Sequence, residues 1–301
     1  MVGPAHGNPE PAEVRARVHH EALMFSLVKT EVGGVRELQV DGAAGKLRAR
    51  HYWPPRAGAS GKQPLLVFLH GGGFVICDLD THDEACRILC RHAQIQVLSI
   101  AYRLAPEHPF PAAVDDALVA FRWAVEHAGE LGADPDRVVV GGDSAGGNLS
   151  AVTSQLAAHN AGPTPALQLL IYPATDLTEA RTASGRLFGD GFFLTENDRQ
   201  WSTRHYFAGT EADRSDPRAS PALADDPSGL APAIVVTAGF DPLRDEGEAY
   251  AEALRQAGTP AVSYRTPELI HGFINMTPVP AARDAMLRLS EMVRASLELA
   301  R

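Results

Sequence analysis

Five residues, Gly142, Asp143, Ser144, Ala145 and Gly146, form a G-x-S-x-G pattern between the apolar run Val138 to Val140 and a stretch with helical spacing. A serine on a sharp turn from strand to helix stands clear of the backbone, where its hydroxyl can attack a carbonyl carbon. Glycines flank such a serine because side chains there would collide with the strand and helix beside it, and the turn itself is strained. The opening N–H groups of the following helix lack partners, so they can face an oxygen that gains negative charge. A second cluster, His70, Gly71, Gly72 and Gly73, follows the apolar run Leu65 to Leu69. Its glycines let backbone approach a substrate closely, and their N–H groups, with that of Ala145, supply donors for a tetrahedral oxyanion. Gly-rich loops also cradle phosphates, but no Lys-Ser or Lys-Thr follows and G-x-G-x-x-G is absent, which disfavours a nucleotide site.

A serine hydroxyl is a weak nucleophile and needs a base, and among twelve histidines the order serine, acid, histidine points downstream. His271 fits best: it lies in a loop after the run Ala261 to Arg265 and before the last helical stretch, whereas His159 falls in a helix and His205 in an aromatic insertion. Asp241 follows the apolar run Ala233 to Ala238, at the strand end where sites of α/β sheets assemble, and can orient the imidazole. Asp245 and Glu246 are rivals, although acids at the start of a helix are already explained by its dipole.

These residues need a parallel sheet to hold them. Leu65 to Leu69, Ile95 to Ala101, Arg137 to Val140, Leu167 to Tyr172, Ala233 to Ala238 and Ala261 to Arg265 read as strands, most too uniformly apolar to be half exposed. Ala112 to His127, Gly146 to His159, Asp245 to Ala257 and Ala281 to Leu299 show helical spacing and would cover the sheet faces. Val35 to Val40 and Gly45 to Tyr52 read as an edge hairpin with Asp41 and Gly42 at its turn. Two segments break the alternation, residues 1 to about 34 and about 177 to 229. The second is rich in aromatics for a connector, and Phe188, Phe192, Phe193, Trp201 and Tyr206, with Phe74 beside the glycine loop, are candidates for the wall of an apolar pocket.

Acidic side chains outnumber basic ones, 37 to 27, and the formal charge of -10 argues against nucleic-acid binding. No run reaches the length of a membrane span and the first residues lack a signal-peptide core, so the expected location is the cytoplasm. The three cysteines, Cys77, Cys86 and Cys90, are expected to remain thiols there. Cys86 and Cys90 stand four apart, with His82 and His92 nearby, a spacing that can present metal ligands; helix-on-sheet packing explains it as well, and no metal is expected. An exposed edge strand permits a homodimer without distinguishing it from a monomer.

With these motifs in view, the chain resembles the bacterial hormone-sensitive-lipase-like esterases. The resemblance rests on six blocks in order: His70 to Phe74, Tyr102 to His108, Gly142 to Asn148, Asp216 to Pro221, Asp241 to Gly247 and His271 to Phe273. It implies an α/β-hydrolase fold of one domain over residues 1–301, with a mostly parallel eight-stranded sheet, helices on both faces and a helical cap made from the two misfit segments. It further implies hydrolysis of short- to medium-chain carboxylic esters without a cofactor, through Ser144, Asp241 and His271, with Gly72, Gly73 and Ala145 as oxyanion donors and Gly71 as a supporting turn. Cys77 departs from the usual glycine of such proteins, and Glu268 and Leu269 from the common Gly-Met. Fold and triad do not choose the scissile bond, so a peptidase, lactonase or amidase stays a rival, as does a non-catalytic receptor.

Overall fold

From Gln63 onward strands alternate with helices along the chain, because short apolar runs are punctuated by amphipathic segments; the strands span four to eleven residues and the α-helices six to twenty. The computed structural model describes residues 8–25, 29–55, 62–160 and 162–299. Residues 1–7 and 26–28 of the N-terminal segment expected to join a cap lie outside them. The strands are β1 (Gly34–Gly42), β2 (Gly45–Trp53), β3 (Gln63–Leu69), β4 (Gln96–Ile100), β5 (Ala133–Asp143), β6 (Gln168–Ile171), β7 (Ala233–Phe240) and β8 (Ala261–Ile270). They form one sheet in the order β1-β2-β4-β3-β5-β6-β7-β8, antiparallel at β1/β2 and β2/β4 and parallel elsewhere.

Successive residues of a strand face opposite sides of the sheet, so β3 divides between two cores: Leu65, Val67 and Leu69 on one, Leu66 and Phe68 on the other. Helices α2 (Asp83–Ala93) and α8 (Pro280–Leu299) cover the second core, where Cys86 and Cys90 pack beside Met286, Leu289 and Val293. That burial is the helix-on-sheet packing reading of the two cysteines. Helices α3 (Ala112–Glu126) and α4 (Ala145–His159) cover the first, and α7 (Arg244–Gln256) packs on β6 and β7 through Tyr250, Ala251 and Leu254. None of the helices in the described residues is long and apolar enough to cross a membrane.

The hairpin turn is one correction to the sequence reading. Gly42 pairs with Gly45, so strand β1 continues through Asp41 and Gly42 and the turn falls on Ala43 and Ala44. Its anchor is distant in sequence: the buried Asp116 of α3 accepts from the Ala43 N–H at 2.9 Å while also binding Arg103. Strand β8 is also longer than its apolar run suggests, because the chain stays extended until the residue before His271.

The two misfit segments meet. Helix α1 (Pro11–Phe25) comes from the first, and α5 (Ala183–Phe188) and α6 (Glu196–Tyr206) from the second. Val14 of α1 and Trp201 of α6 share one core, Trp201 Nε1 donates to the Pro9 carbonyl at 3.1 Å, and Arg204 donates to Asn8. Helix α6 starts on a reciprocal cap between Thr195 and Asp198, which marks its N-terminus locally.

Candidate active site

Ser144 sits between the end of β5 and the start of α4 with φ 55° and ψ −116°, a left-handed conformation costing an ordinary residue about 1–3 kcal/mol. Bonds on both sides hold it there: its N–H donates to Ile171 at 2.8 Å, and its carbonyl accepts from Asn148 at 3.0 Å. The close approach of Gly146 explains the glycine, since a Cβ there would lie 1.8 Å from the Leu69 carbonyl oxygen.

His271 ends the extension of β8 and points its two ring nitrogens at the two partners expected from the sequence. Its Nε2 is 3.0 Å from Ser144 Oγ and its Nδ1 is 2.8 Å from Asp241 Oδ2. Asp241 is fully buried, and its other oxygen accepts from the Leu243 N–H at 2.8 Å, so the carboxylate is fixed at both ends. Asp245 and Glu246 lie elsewhere. Asp245 accepts from the Ser184 N–H of α5, whereas Glu246 accepts from Thr175 and faces Arg199 of α6 at 3.5 Å. Burial pushes the Glu246 carboxyl up to about 7, against the pull of Arg199 and the Thr175 and Asp176 N–H groups.

The glycine loop curls back beside Ser144: the Gly72 carbonyl accepts from Val75 and Ile76 at 3.1 and 2.9 Å. Within the described residues the Gly72 and Gly73 N–H groups meet no acceptor, and that of Ala145 opens α4, where no intrahelical partner exists. Gly72, Gly73, Ser144, Ala145 and His271 all border one cavity of about 490 Å³, the site at which sequence-predicted nucleophile, base and donors come together.

Its walls differ from the sequence expectation. Phe74 and Phe193 border the cavity, but Phe188, Phe192, Trp201 and Tyr206 do not. Trp201 and Tyr206 are wholly buried, Tyr206 stacking on Phe74 at 3.9 Å between ring centres, because they weld α6 to the core below it. Phe188 and Phe192 form an outer cluster with Phe240, beneath the Arg244 guanidinium. The cavity is finished instead by Val18, Ile76, Leu177, Leu194 and the polar groups Arg199 and Ser202. Helical spacing alone does not tell which side of α6 faces a pocket and which a core. Cys77 also borders it, at φ 72°, with burial raising its thiol well above the usual value.

A family model described as the α/β hydrolase fold matches residues 66–275, more than half of the chain. The chain belongs to the α/β-hydrolase family. Among curated relatives of this α/β-hydrolase, the carboxylic ester hydrolase LipN of Mycobacterium tuberculosis is 55% identical over 269 residues, 87% of this chain and 70% of that protein. Ethyl acetate hydrolase of Pseudomonas putida is 39% identical over 277 residues, 91% of this chain and 86% of its own. The crystal structure of EstE1, a thermophilic carboxylesterase cloned from a metagenomic library, superposes with a TM-score of 0.92 at 39% identity, covering 97% of this chain and 99% of that one. These relatives set the α/β-hydrolase in the hormone-sensitive-lipase-like branch that its motif blocks resemble.

Proposed function

We propose that this α/β-hydrolase is a serine carboxylesterase acting on short- to medium-chain esters, with Ser144 as nucleophile, His271 as general base and Asp241 as its orienting acid. The observation that carries the reading is the continuous chain of hydrogen bonds from Ser144 Oγ through His271 to Asp241, opening on a cavity beside unpaired N–H donors. Named ester hydrolases among the relatives support the same class of scissile bond.

As Ser144 Oγ attacks the ester carbonyl, its proton passes to His271 Nε2 and the carbonyl π electrons move to oxygen. The Gly72, Gly73 and Ala145 N–H groups receive that oxyanion, and Asp241 stabilises the imidazolium without taking its proton. Collapse of the tetrahedral species expels the alkoxide, which takes the proton from His271, and leaves an acyl group on Ser144. Water then gives a proton to His271 Nε2 as it attacks the acyl carbon, and collapse of this second tetrahedral species breaks the bond to Ser144 Oγ, which takes the proton back from His271 as the acid is released.

Helix α1 and the insertion bearing α5 and α6 act as a cap over this chemistry in the proposed enzyme. Their share of the cavity wall supports that role, Val18 coming from the first and Leu194 and Ser202 from the second. A volume of about 490 Å³ suits a small ester, since pockets for small ligands run from about 300 to 1,000 Å³. The test is hydrolysis of p-nitrophenyl esters of rising acyl length by wild type and Ser144→Ala. The expected result is kcat/KM rising roughly fourfold per buried methylene to a short or medium optimum, then falling, with turnover lost in the variant. Equal rates in both proteins would overturn the reading, and turnover restricted to amides or lactones would move the scissile bond.

A further inference from the structure

The residue before the nucleophile has a job that the triad does not need. Asp143 is almost wholly buried, yet its Oδ1 accepts from the Gly71 N–H at 2.8 Å and faces His82 Nε2 at 3.1 Å, while Oδ2 faces the Tyr172 hydroxyl at 3.4 Å. Gly71 must be glycine for this contact, because a Cβ would stand 2.4 Å from Oδ2. His82 is equally odd in its own setting. It occupies the N-cap of α2, a position that favours Ser, Thr, Asp or Asn, and makes no capping bond; the ring is directed at Asp143 instead. Asn275, from the turn after His271, stands 3.1 Å from the same ring nitrogen.

A peptide unit is planar, with C=O and N–H pointing in opposite directions in its trans form, so holding one end aims the other. The unit joining His70 to Gly71 is held at both ends: the Tyr102 hydroxyl donates to the His70 carbonyl at 2.7 Å, and Asp143 takes the Gly71 N–H. The next unit, joining Gly71 to Gly72, is held at its oxygen, which accepts from His70 Nδ1 at 2.7 Å. Burial pushes the His70 imidazole down to about 4, so the ring is neutral and keeps its one N–H for that carbonyl. With the oxygen pinned inward, the Gly72 N–H is turned outward into the cavity. Burial opposes the charge on Asp143, but the facing His82 and the Gly71 N–H outweigh it and hold its carboxyl below the ordinary range.

We infer that Asp143 and His82 form a buried positioning pair that aims the oxyanion donors, with His70 and Tyr102 completing the clamp. The inference rests on the esterase reading above. Asp143 and His82 also border the cavity, but Asp143 spends its Oδ1 on the Gly71 N–H and on His82, so the pair acts on the oxyanion donors through the Gly71 peptide.

The test compares Asp143→Ala, Asp143→Asn and His82→Asn with wild type in kcat and KM on p-nitrophenyl butyrate, in thermal melting, and in binding of two inhibitors. One is a trifluoromethyl ketone, which forms a tetrahedral oxyanion on the serine; the other is the corresponding secondary alcohol, which forms none. Removing one oxyanion donor costs roughly 10²- to 10³-fold in other serine hydrolases, so Asp143→Ala is expected to lower kcat about 10²-fold with KM within about threefold. Asp143→Asn keeps an oxygen for the Gly71 N–H and should recover most of that loss. His82→Asn, too short to reach Asp143, should lie between them and carries the test if Asp143→Ala does not fold. Ketone affinity should fall in step with kcat while alcohol affinity stays at the wild-type value. Unchanged kcat in folded variants, or parallel losses of ketone and alcohol affinity, would overturn the inference. Turnover that survives Ser144→Ala would instead overturn the esterase reading beneath it.

Discussion

Asp241→Asn should disable the enzyme through hydrogen-bond direction alone. Two donors converge on the buried carboxylate, His271 Nδ1–H at one oxygen and Leu243 N–H at the other, each at 2.8 Å. Asparagine offers one oxygen and one NH₂ in the same space. With its oxygen toward His271, the NH₂ faces the Leu243 N–H and two buried donors lack acceptors. With its oxygen toward Leu243, the NH₂ donates to His271 Nδ1, which forces the ring proton onto Nε2, where it opposes Ser144 instead of accepting from it. At about 1–3 kcal/mol for each buried unsatisfied group, the first orientation lies about 2–6 kcal/mol above the second. The inactive tautomer therefore dominates, and kcat should fall about 10²- to 10⁴-fold at about 1.4 kcal/mol per decade. KM should stay within about threefold, because Asp241 does not border the cavity. Steady-state hydrolysis of p-nitrophenyl butyrate, normalised to folded protein by circular dichroism, reads both constants. A folded variant that keeps kcat within tenfold of wild type would refute the tautomer argument.

Phe192→Ala should leave kcat/KM on p-nitrophenyl butyrate within about threefold of wild type, whereas Phe193→Ala, which strips a side chain from the cavity wall, should shift the acyl-length optimum; the opposite pattern would show that the outer aromatic cluster lines the functional pocket. Trp201→Ala should cost about 4 kcal/mol and lower Tm by roughly 10 °C, because a wholly buried indole and its bond to Pro9 are lost together, and a melting temperature within 2 °C or so would contradict that packing. For Glu246 the sign follows from its raised value of about 7 against an ordinary 4.5. Between those pH values the folded state holds a proton that the unfolded chain has released, so this contribution to stability falls as pH rises through the window, by roughly 3 kcal/mol in all. Glu246→Gln removes the dependence and should gain on wild type in denaturant melts between pH 5 and pH 8; a stability difference independent of pH would count against it.

Chemistry that is confined to a few neighbouring residues is legible in the amino-acid sequence. The elbow at Ser144 requires small flanks and a strand-to-helix change, and both leave local marks. Asp241 and His271 follow strands at the expected end of a parallel sheet, so chain order and element type pick out a pair that the structure brings within hydrogen-bonding distance. The pocket wall is a different problem. Trp201, Tyr206 and Phe193 are all aromatic, but only packing against Phe74 and Pro9 decides that the first two fill a core while Phe193 borders the cavity. The hairpin turn is displaced for the same reason, since Asp116, distant in sequence, chooses which residues bend. In the sequence His82 is only a histidine near two cysteines; its contact with Asp143 joins residues 61 positions apart, and a misplaced N-cap is the one local sign that something other than helix formation has selected it.

The end of β5 and the residue after it divide the labour of the site. Ser144 is bonded to Ile171 on one strand, and Asp143 beside it is bonded to the loop after β3, so one stretch of backbone sets both the proposed nucleophile and the proposed donors opposite it. None of these bonds involves α1, α5 or α6. Of these, α1 and α6 reach the cavity through side chains such as Val18 and Arg199, and α6 is tied to the hydrolase core by Arg199 at Glu246. Changes in the proposed cap should therefore act on which ester binds and how tightly, and show in KM and acyl preference. Changes at Asp143, Gly71 or His82 should act on how well the oxyanion is held, and show in kcat.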